Sequence, residues 1–307
     1  MIIDFHTHTF PEKIAERAVA SLRSKSHTVS FSDGTAGGLM ERDRAAGIDL
    51  AVILPVATNP EQVRHVNDKA AALNREYGKK QMKGSESRGT HAADPVSLSS
   101  GLLSFACIHP EMEDAAAELG RVNELGFKGV KLHPVYQGTD IDSLPFLKIL
   151  DSCAGLGLTV VTHGGWDIGF PGVRHCMPDQ IRRAVRTVDP EGKTLKLVAA
   201  HMGGWRIWEE VPELLADTGV YLDTSFSTGQ FYPLKDGYYD GKDISLLDPE
   251  GFMKLYRAFG PERILFGTDN PWSDAEESLA FIRALPITEE EKGAILGGSA
   301  RKLLGFV

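Results

Sequence analysis

Short apolar runs, several carrying β-branched residues, alternate along this chain with segments whose apolar positions recur every three or four residues. The runs are IIDFH at 2–6, LAVILPV at 50–56, LLSFACIHP at 102–110, FKGVKLHP at 127–134, LTVVTHGG at 158–165, LKLVAAHMGG at 195–204, VYLDTS at 220–225 and RILFGTDNP at 263–271. Runs of this length bounded by turn residues predict buried strands. Between them, Val63, Val66, Ala70, Leu73 and Tyr77, then Ala116, Leu119, Val122 and Leu125, then Ile181, Val185 and Val188 carry the helical period. Strand followed by helix, repeated, predicts a parallel sheet, because parallel neighbours need a long crossover. Eight strand runs without a composition break predict one (β/α)8 TIM barrel over residues 1–307 rather than an open doubly wound sheet, and no GxGxxG follows an early strand.

Function in such a barrel sits at the C-terminal ends of the strands. That rule sorts two stretches of weak pattern. Residues 79–101 lead from a helix into the third strand, so they read as a polar insertion on the opposite face, His91 included. Residues 225–248 leave the seventh strand at the functional face, and Phe226, Phe231, Tyr232, Tyr238 and Tyr239 suit either a lid over a substrate or the anchors of a long loop.

Several strand runs end in histidine or aspartate where ordinary turn residues would do. In IDFHTH, His6 and His8 are two apart, and side chains at i and i+2 of an extended chain face the same way. His163 ends the fifth run, His201 the sixth and Asp269 the eighth. Singly, each also reads as a hydrogen-bonded strand end or a turn starter. Gathered on one barrel rim, imidazole nitrogens and a carboxylate make a ligand set for zinc or a related divalent ion.

Composition changes this picture little. Apolar residues make up 42% and charged residues 24% of the 307, enough for a large core, and the net charge of −9 excludes a general affinity for nucleic acid or anionic membrane. A small-molecule partner is expected, and self-association is left open. No basic start followed by a long apolar run marks a signal peptide, and no run approaches the roughly 20 apolar residues of a membrane span, so cytoplasmic residence is the expectation. Cys107, Cys153 and Cys176 are odd in number and widely spaced, which predicts reduced thiols.

Together, DFHTH, KGVKLHP, VTHGG, VAAHMGGW and ILFGTDNPW resemble the amidohydrolase superfamily, most closely its amidohydrolase-related branch with the aminocarboxymuconate-semialdehyde decarboxylase-like proteins. The resemblance runs from residue 2 to about Leu304. It implies one divalent metal, Zn2+ first and Mn2+ as the alternative, held by His6, His8, His163 and Asp269, with His201 facing the substrate. A metal lowers the pKa of its water to about 7, Asp269 then takes and returns the proton, and His201 serves the developing oxyanion.

Lys131 and His133 alternate on the fourth strand. Some amidohydrolases carry a carboxylated lysine on this strand that bridges two metals, whereas a single metal is more usual in the branch resembled. Lys131 is therefore expected to contact substrate or to form a structural ion pair, and His133 to touch substrate or support a ligand. After the fifth strand, Trp166 could pack on a ring, Arg174 and His175 could meet a substrate carboxylate, and Pro178 opens a helix. Asp4 reads as structural support, His109 faces the cup without an evident partner, His65 is solvated, and His27 carries no signal.

Two other families begin similarly. The polymerase-and-histidinol-phosphatase phosphoesterases share paired histidines, but their further histidines and late Asp-x-His are missing here; TatD-like nucleases want a glutamate where this chain has KGVKLHP. The leading expectation is hydrolysis of a lactone, amide or similar carbonyl compound, anionic by the loop after the fifth strand. The alternative is non-oxidative decarboxylation of an aromatic or unsaturated carboxylic acid by the same ligands. A non-catalytic metal-binding protein comes third, since the ligand set is complete.

Overall fold

The computed structural model describes residues 1–86, 101–242 and 244–306. Its strands are β1 (Ile3–Thr7), β2 (Leu50–Ile53), β3 (Gly101–Ser104), β4 (Ala106–Cys107), β5 (Gly129–Leu132), β6 (Thr159–Thr162), β7 (Leu197–Ala199), β8 (Tyr221–Asp223) and β9 (Ile264–Leu265). All pairings are parallel, in the orders β1-β2-β3 and β4-β5-β6-β7-β8-β9. β3 and β4 are two halves of one strand position, interrupted at Phe105, whose N–H still donates to Ile53 O at 2.9 Å. On the other side of the ring, Phe5 N donates to Phe266 O and Asp269 N to His6 O, each at 2.8 Å, so the last strand meets the first. The eight strand positions expected from the sequence therefore form a (β/α)8 barrel.

Helices α1 (Glu12–Ser26) and α2 (Ala36–Ala46) follow β1, and α3 (Val63–Glu86) follows β2. Next come α4 (Ala115–Glu124), α5 (Leu144–Leu156), α6 (Pro178–Val188), α7 (Val211–Leu215), α8 (Pro249–Phe259), α9 (Ala275–Ala284), α10 (Glu289–Gly293) and α11 (Ser299–Leu304). α6 starts on Pro178, where the missing N–H costs nothing. α3 continues through 79–86, the first part of the stretch read as a polar insertion, because KKQMKGSE is rich in helix formers. The remainder of that stretch from 87 to 100, His91 included, lies outside the described residues. No helix among the described residues is long and apolar enough to cross a membrane.

Strand alternation divides the core in two. Val161, Val198 and Leu265 join Ile3, Phe5, Leu50, Val52 and Phe105 in one buried cluster, which Ala300, Leu303 and Leu304 of α11 complete. Their strand neighbours Val160, Leu197, Ala199 and Ile264 pack in a second cluster with Phe146, Ile149, Ile181 and other helix residues. A period of two thus feeds a barrel interior and a helix-facing layer from the same strands. Cys107, Cys153 and Cys176 are free and buried, and burial pushes each thiol up to about 12, which keeps them inert.

Candidate active site

At the C-terminal ends of the strands lies a cavity of about 350 Å³. His6 and His8 reach its floor from β1, where the pairing register with β2 shifts between Asp4 and Thr7, an irregularity of the kind that re-aims side chains at barrel rims. Asp269 follows β9 and holds a φ of +64°, in the left-handed region that Asp tolerates better than most residues. These three side chains converge. His6 Nε2 lies 3.2 Å from His8 Nε2 and 3.4 Å from Asp269 Oδ1, and His8 Nε2 lies 3.0 Å from Asp269 Oδ1.

The far side of each ring decides what those nitrogens carry. His6 Nδ1 lies 2.8 Å from Asp223 Oδ2, and His8 Nδ1 lies 2.8 Å from Leu54 O. A carboxylate and a carbonyl can only accept, so both Nδ1 atoms hold the ring proton and both Nε2 atoms are bare. Two lone pairs and a carboxylate oxygen thus point into one small space. Such a donor set repels itself until a cation sits among it, and nitrogen with oxygen donors suits Zn2+ or Mn2+.

Electrostatics agree. Burial, aided by Lys131, lowers His6 to about 3, so it stays neutral at physiological pH. Burial alone would raise Asp223 and Asp269. Contact with His6 carries Asp223 well below the carboxylate range, and contact with His8 and His6 holds Asp269 at about 2. Lys131 is 1% exposed, and burial lowers it to about 8; its Nζ lies 3.2 Å from His6 Nε2.

His163 and His201 border the same cavity, with ring centroids 4.8 Å apart. His201 Nδ1 lies 3.0 Å from Ser225 O, and its backbone N–H donates to Asp223 Oδ1 at 3.0 Å. His163 Nε2 lies 3.2 Å from Trp166 O, so Nε2 carries the proton, and His163 Nδ1 is buried without a hydrogen-bond partner. The two glycines after His163 are required by the adjacent loop. A Cβ on Gly165, at φ +86°, would lie 2.2 Å from Trp205 N, and one on Gly164 would lie 2.7 Å from Ala200 O. THGG and HMGGW therefore interlock through Trp205 N to Gly164 O at 2.8 Å.

The tightest donor group is His6, His8 and Asp269; His163 belongs to a second, adjoining group with His133 and Asp167. His133 stacks on His163 with centroids 4.6 Å apart, and its Nε2 is 3.6 Å from Asp167 Oδ2. Burial pushes Asp167 up to about 6 and His133 and His163 well below the usual histidine range.

Trp166 lines the cavity, as do Lys131 and His133. Arg174 and His175, expected to meet a substrate carboxylate, are not among the residues that line it. The Arg174 guanidinium lies over the Trp166 ring, 5.7 Å from its centre, and 3.8 Å from Asp179, while His175 pairs with Asp140 at 2.6 Å. Both acids lie close by, in sequence or on the neighbouring loop, and take up these side chains locally. His109 is buried, but its Nδ1 accepts from Glu111 N and it is not part of the cavity wall. His65 is exposed, as expected.

Sequence reading passed over three groups. Asp223 ends β8 in VYLDTS, the same strand-end signal that marked Asp269. Ser225 Oγ donates to Asp223 and lies 3.0 Å from both His6 Nδ1 and His201 Nδ1. Lys25, on the last turn of α1, lines the cavity with its Nζ 5.2 Å from the Phe170 ring centre and no carboxylate partner among the described residues.

The 225–248 segment meets the end of α1. Val29 N donates to Tyr232 O and Leu234 N to His27 O, Tyr239 Oη donates to Ser26 O at 2.7 Å, and His27 pairs with Asp236 and stacks on Tyr238. Phe226 reaches the cavity wall, and Phe231 packs between it and Tyr239.

The family described as Amidohydrolase matches residues 3–306. No match is found among curated proteins. Among solved structures, an uncharacterized TIM-barrel protein from Bordetella bronchiseptica aligns with a TM-score of 0.70 at 19% identity, covering 99% of this chain and 98% of its own. A 5-carboxyvanillate decarboxylase from Novosphingobium aromaticivorans, complexed with manganese and 4-hydroxy-3-methoxy-5-nitrobenzoic acid, gives 0.66 at 14% over 99% and 96%. A Pseudomonas putida protein named as a 2-pyrone-4,6-dicarboxylic acid hydrolase gives 0.60 at 20% over 99% and 97%. At these identities the structural likeness speaks for the fold alone.

Proposed function

The chain belongs to the amidohydrolase family, and from that premise we propose that it is a hydrolase of a small anionic carbonyl compound, dependent on one divalent cation held by His6, His8 and Asp269 with His163 beside them. One observation carries the reading: three bare donor atoms, His6 Nε2, His8 Nε2 and Asp269 Oδ1, converge within 3.0–3.4 Å of one another. A bound divalent ion polarises a substrate oxygen and acidifies a neighbouring water. Asp269, ionised and 8% exposed, accepts the proton of the attacking water and returns it to the leaving group. His201, whose Nδ1 proton is held by Ser225 O, presents the lone pair of Nε2, which can accept a hydrogen bond from the attacking water and share in its proton transfer. Lys131 supplies a buried positive charge beside His6.

Charge balance supports one ion. Asp167, Asp223 and Asp269 stand against the single ammonium of Lys131 around the floor of the cavity, leaving a deficit that one divalent cation neutralises. Zn2+ is the first choice for this donor set and Mn2+ the second. An anionic substrate is supported by Lys25 at the outer wall. The segment 225–248 closes over the substrate in this proposal, clasped to α1.

The cavity wall favours one second reading. Tyr136, Trp166, Trp205, Phe226 and Trp272 set several aromatic rings in it, and a desolvated carboxylate on a planar ring is the ground state for loss of carbon dioxide. Protein loaded with Zn2+ or Mn2+ should open lactones or cleave amides, with one ion per chain by elemental analysis. Carbon dioxide release from aromatic carboxylic acids without any hydrolysis would replace the hydrolase reading with the decarboxylase.

A further inference from the structure

Arg42 stands on α2, outside the strands, yet its side chain is only 11% exposed and its fork reaches both ligand-bearing strand ends. One terminal nitrogen donates to Asp4 Oδ2 at 2.7 Å and to Asp43 Oδ1 at 2.8 Å. The other donates to Thr268 Oγ1 at 3.0 Å and to Asn270 Oδ1 at 3.1 Å. Three of these four acceptors, Asp4, Thr268 and Asn270, are tied to a proposed ligand. Asp4 Oδ1 accepts from His6 N at 3.3 Å and from Thr268 N at 2.9 Å, and Asn270 Nδ2 donates to His8 O at 3.1 Å. Thr268 and Asn270 are the chain neighbours of Asp269 on either side.

We propose that Arg42 is a positioning residue for the cation site, a guanidinium clamp that holds the end of β1 and the segment after β9 in one register. The inference rests on the metal reading above. It answers a physical need. His6, His8 and Asp269 crowd bare donor atoms together, and Asp269 keeps a left-handed backbone, so both must be held from behind against mutual repulsion and strain. A planar fork with fixed donor directions can grip a carboxylate on one arm and a hydroxyl and an amide oxygen on the other, which an ammonium cannot do.

The test is Co2+ titration of chelator-stripped protein, with the visible absorption of the bound ion recorded alongside its affinity. Arg42→Lys should fold by circular dichroism, bind Co2+ about 10- to 100-fold more weakly, and shift the absorption band, as loss of a supporting contact does at metal sites. Thr268→Val removes one of that arm's two acceptors and should move both readouts the same way by less, and it carries the test if Arg42→Lys does not fold. A purely structural role would lower the thermal midpoint of the stripped protein and leave Co2+ affinity and spectrum as in the wild type, which overturns the proposal. Wild-type protein that takes up no Co2+, or that still binds it after His8→Ala, would instead sink the metal reading and this inference with it.

Discussion

Asp223 Oδ2 accepts the Nδ1 proton of His6 at 2.8 Å, with neither side chain exposed to solvent at all. This one bond fixes the tautomer that leaves His6 Nε2 bare for a cation, and the negative charge behind the ring strengthens it as a donor.

Asp223→Asn keeps an acceptor but removes the charge. Divalent-ion affinity should fall about 10- to 100-fold, read by competition with a chromogenic chelator. Unchanged affinity would mean that Asp223 serves only to fold the β8 end.

Asp269→Asn should cut turnover by about 10² to 10⁴, the usual range for a lost acid–base group, with the circular dichroism of the wild type. Near-full activity would rule out Asp269 as the proton carrier.

Acid should destabilise the metal-free protein. His6, His133, His163 and His201 are all held below the ordinary histidine value by burial, His6 at about 3. The unfolded chain therefore binds more protons than the native one below about pH 6.5, and stability present above that pH is lost as pH falls toward the folded values. Asp4, Asp43 and Asp167 act oppositely, since burial raises them, Asp43 to about 7 and Asp167 to about 6. Burial lowers His109 as well, so five imidazoles stand against these three carboxyls. Thermal midpoints of chelator-treated protein should drop between pH 7 and pH 5, and a flat profile would show that the histidines take up protons without unfolding.

Arg174→Ala and His175→Ala should change KM by less than about twofold, because surface substitutions away from a site are close to neutral. A tenfold rise in KM for either would place the 170–176 loop in contact with substrate during turnover.

Tyr239→Phe deletes the bond from the 225–248 segment to Ser26 O. Amide exchange should quicken at Val29 and Leu234, whose N–H groups bond across this clasp, while metal content stays at the wild-type level. Protection equal to the wild type would show that the clasp does not depend on Tyr239.

Short apolar runs separated by helical segments determined the barrel, because each strand and helix is stabilised by patterning within a few neighbouring residues. The same local logic exposed His6, His8, His163, His201 and Asp269, since a polar residue at the end of a buried strand must be held for a reason. The tertiary structure decided the partners. His6 and Asp223 are 217 residues apart, and Arg42 lies 226 residues from Thr268, so no local spacing could pair them. It also paired Arg174 with Asp179 and His175 with Asp140, away from the cavity lining, and joined the end of α1 to the 225–248 segment partly through backbone groups that carry no residue signature. A ring of parallel strands brings its ends together only on closure, so the sequence could name the donors while the closed barrel chose what stands behind each one.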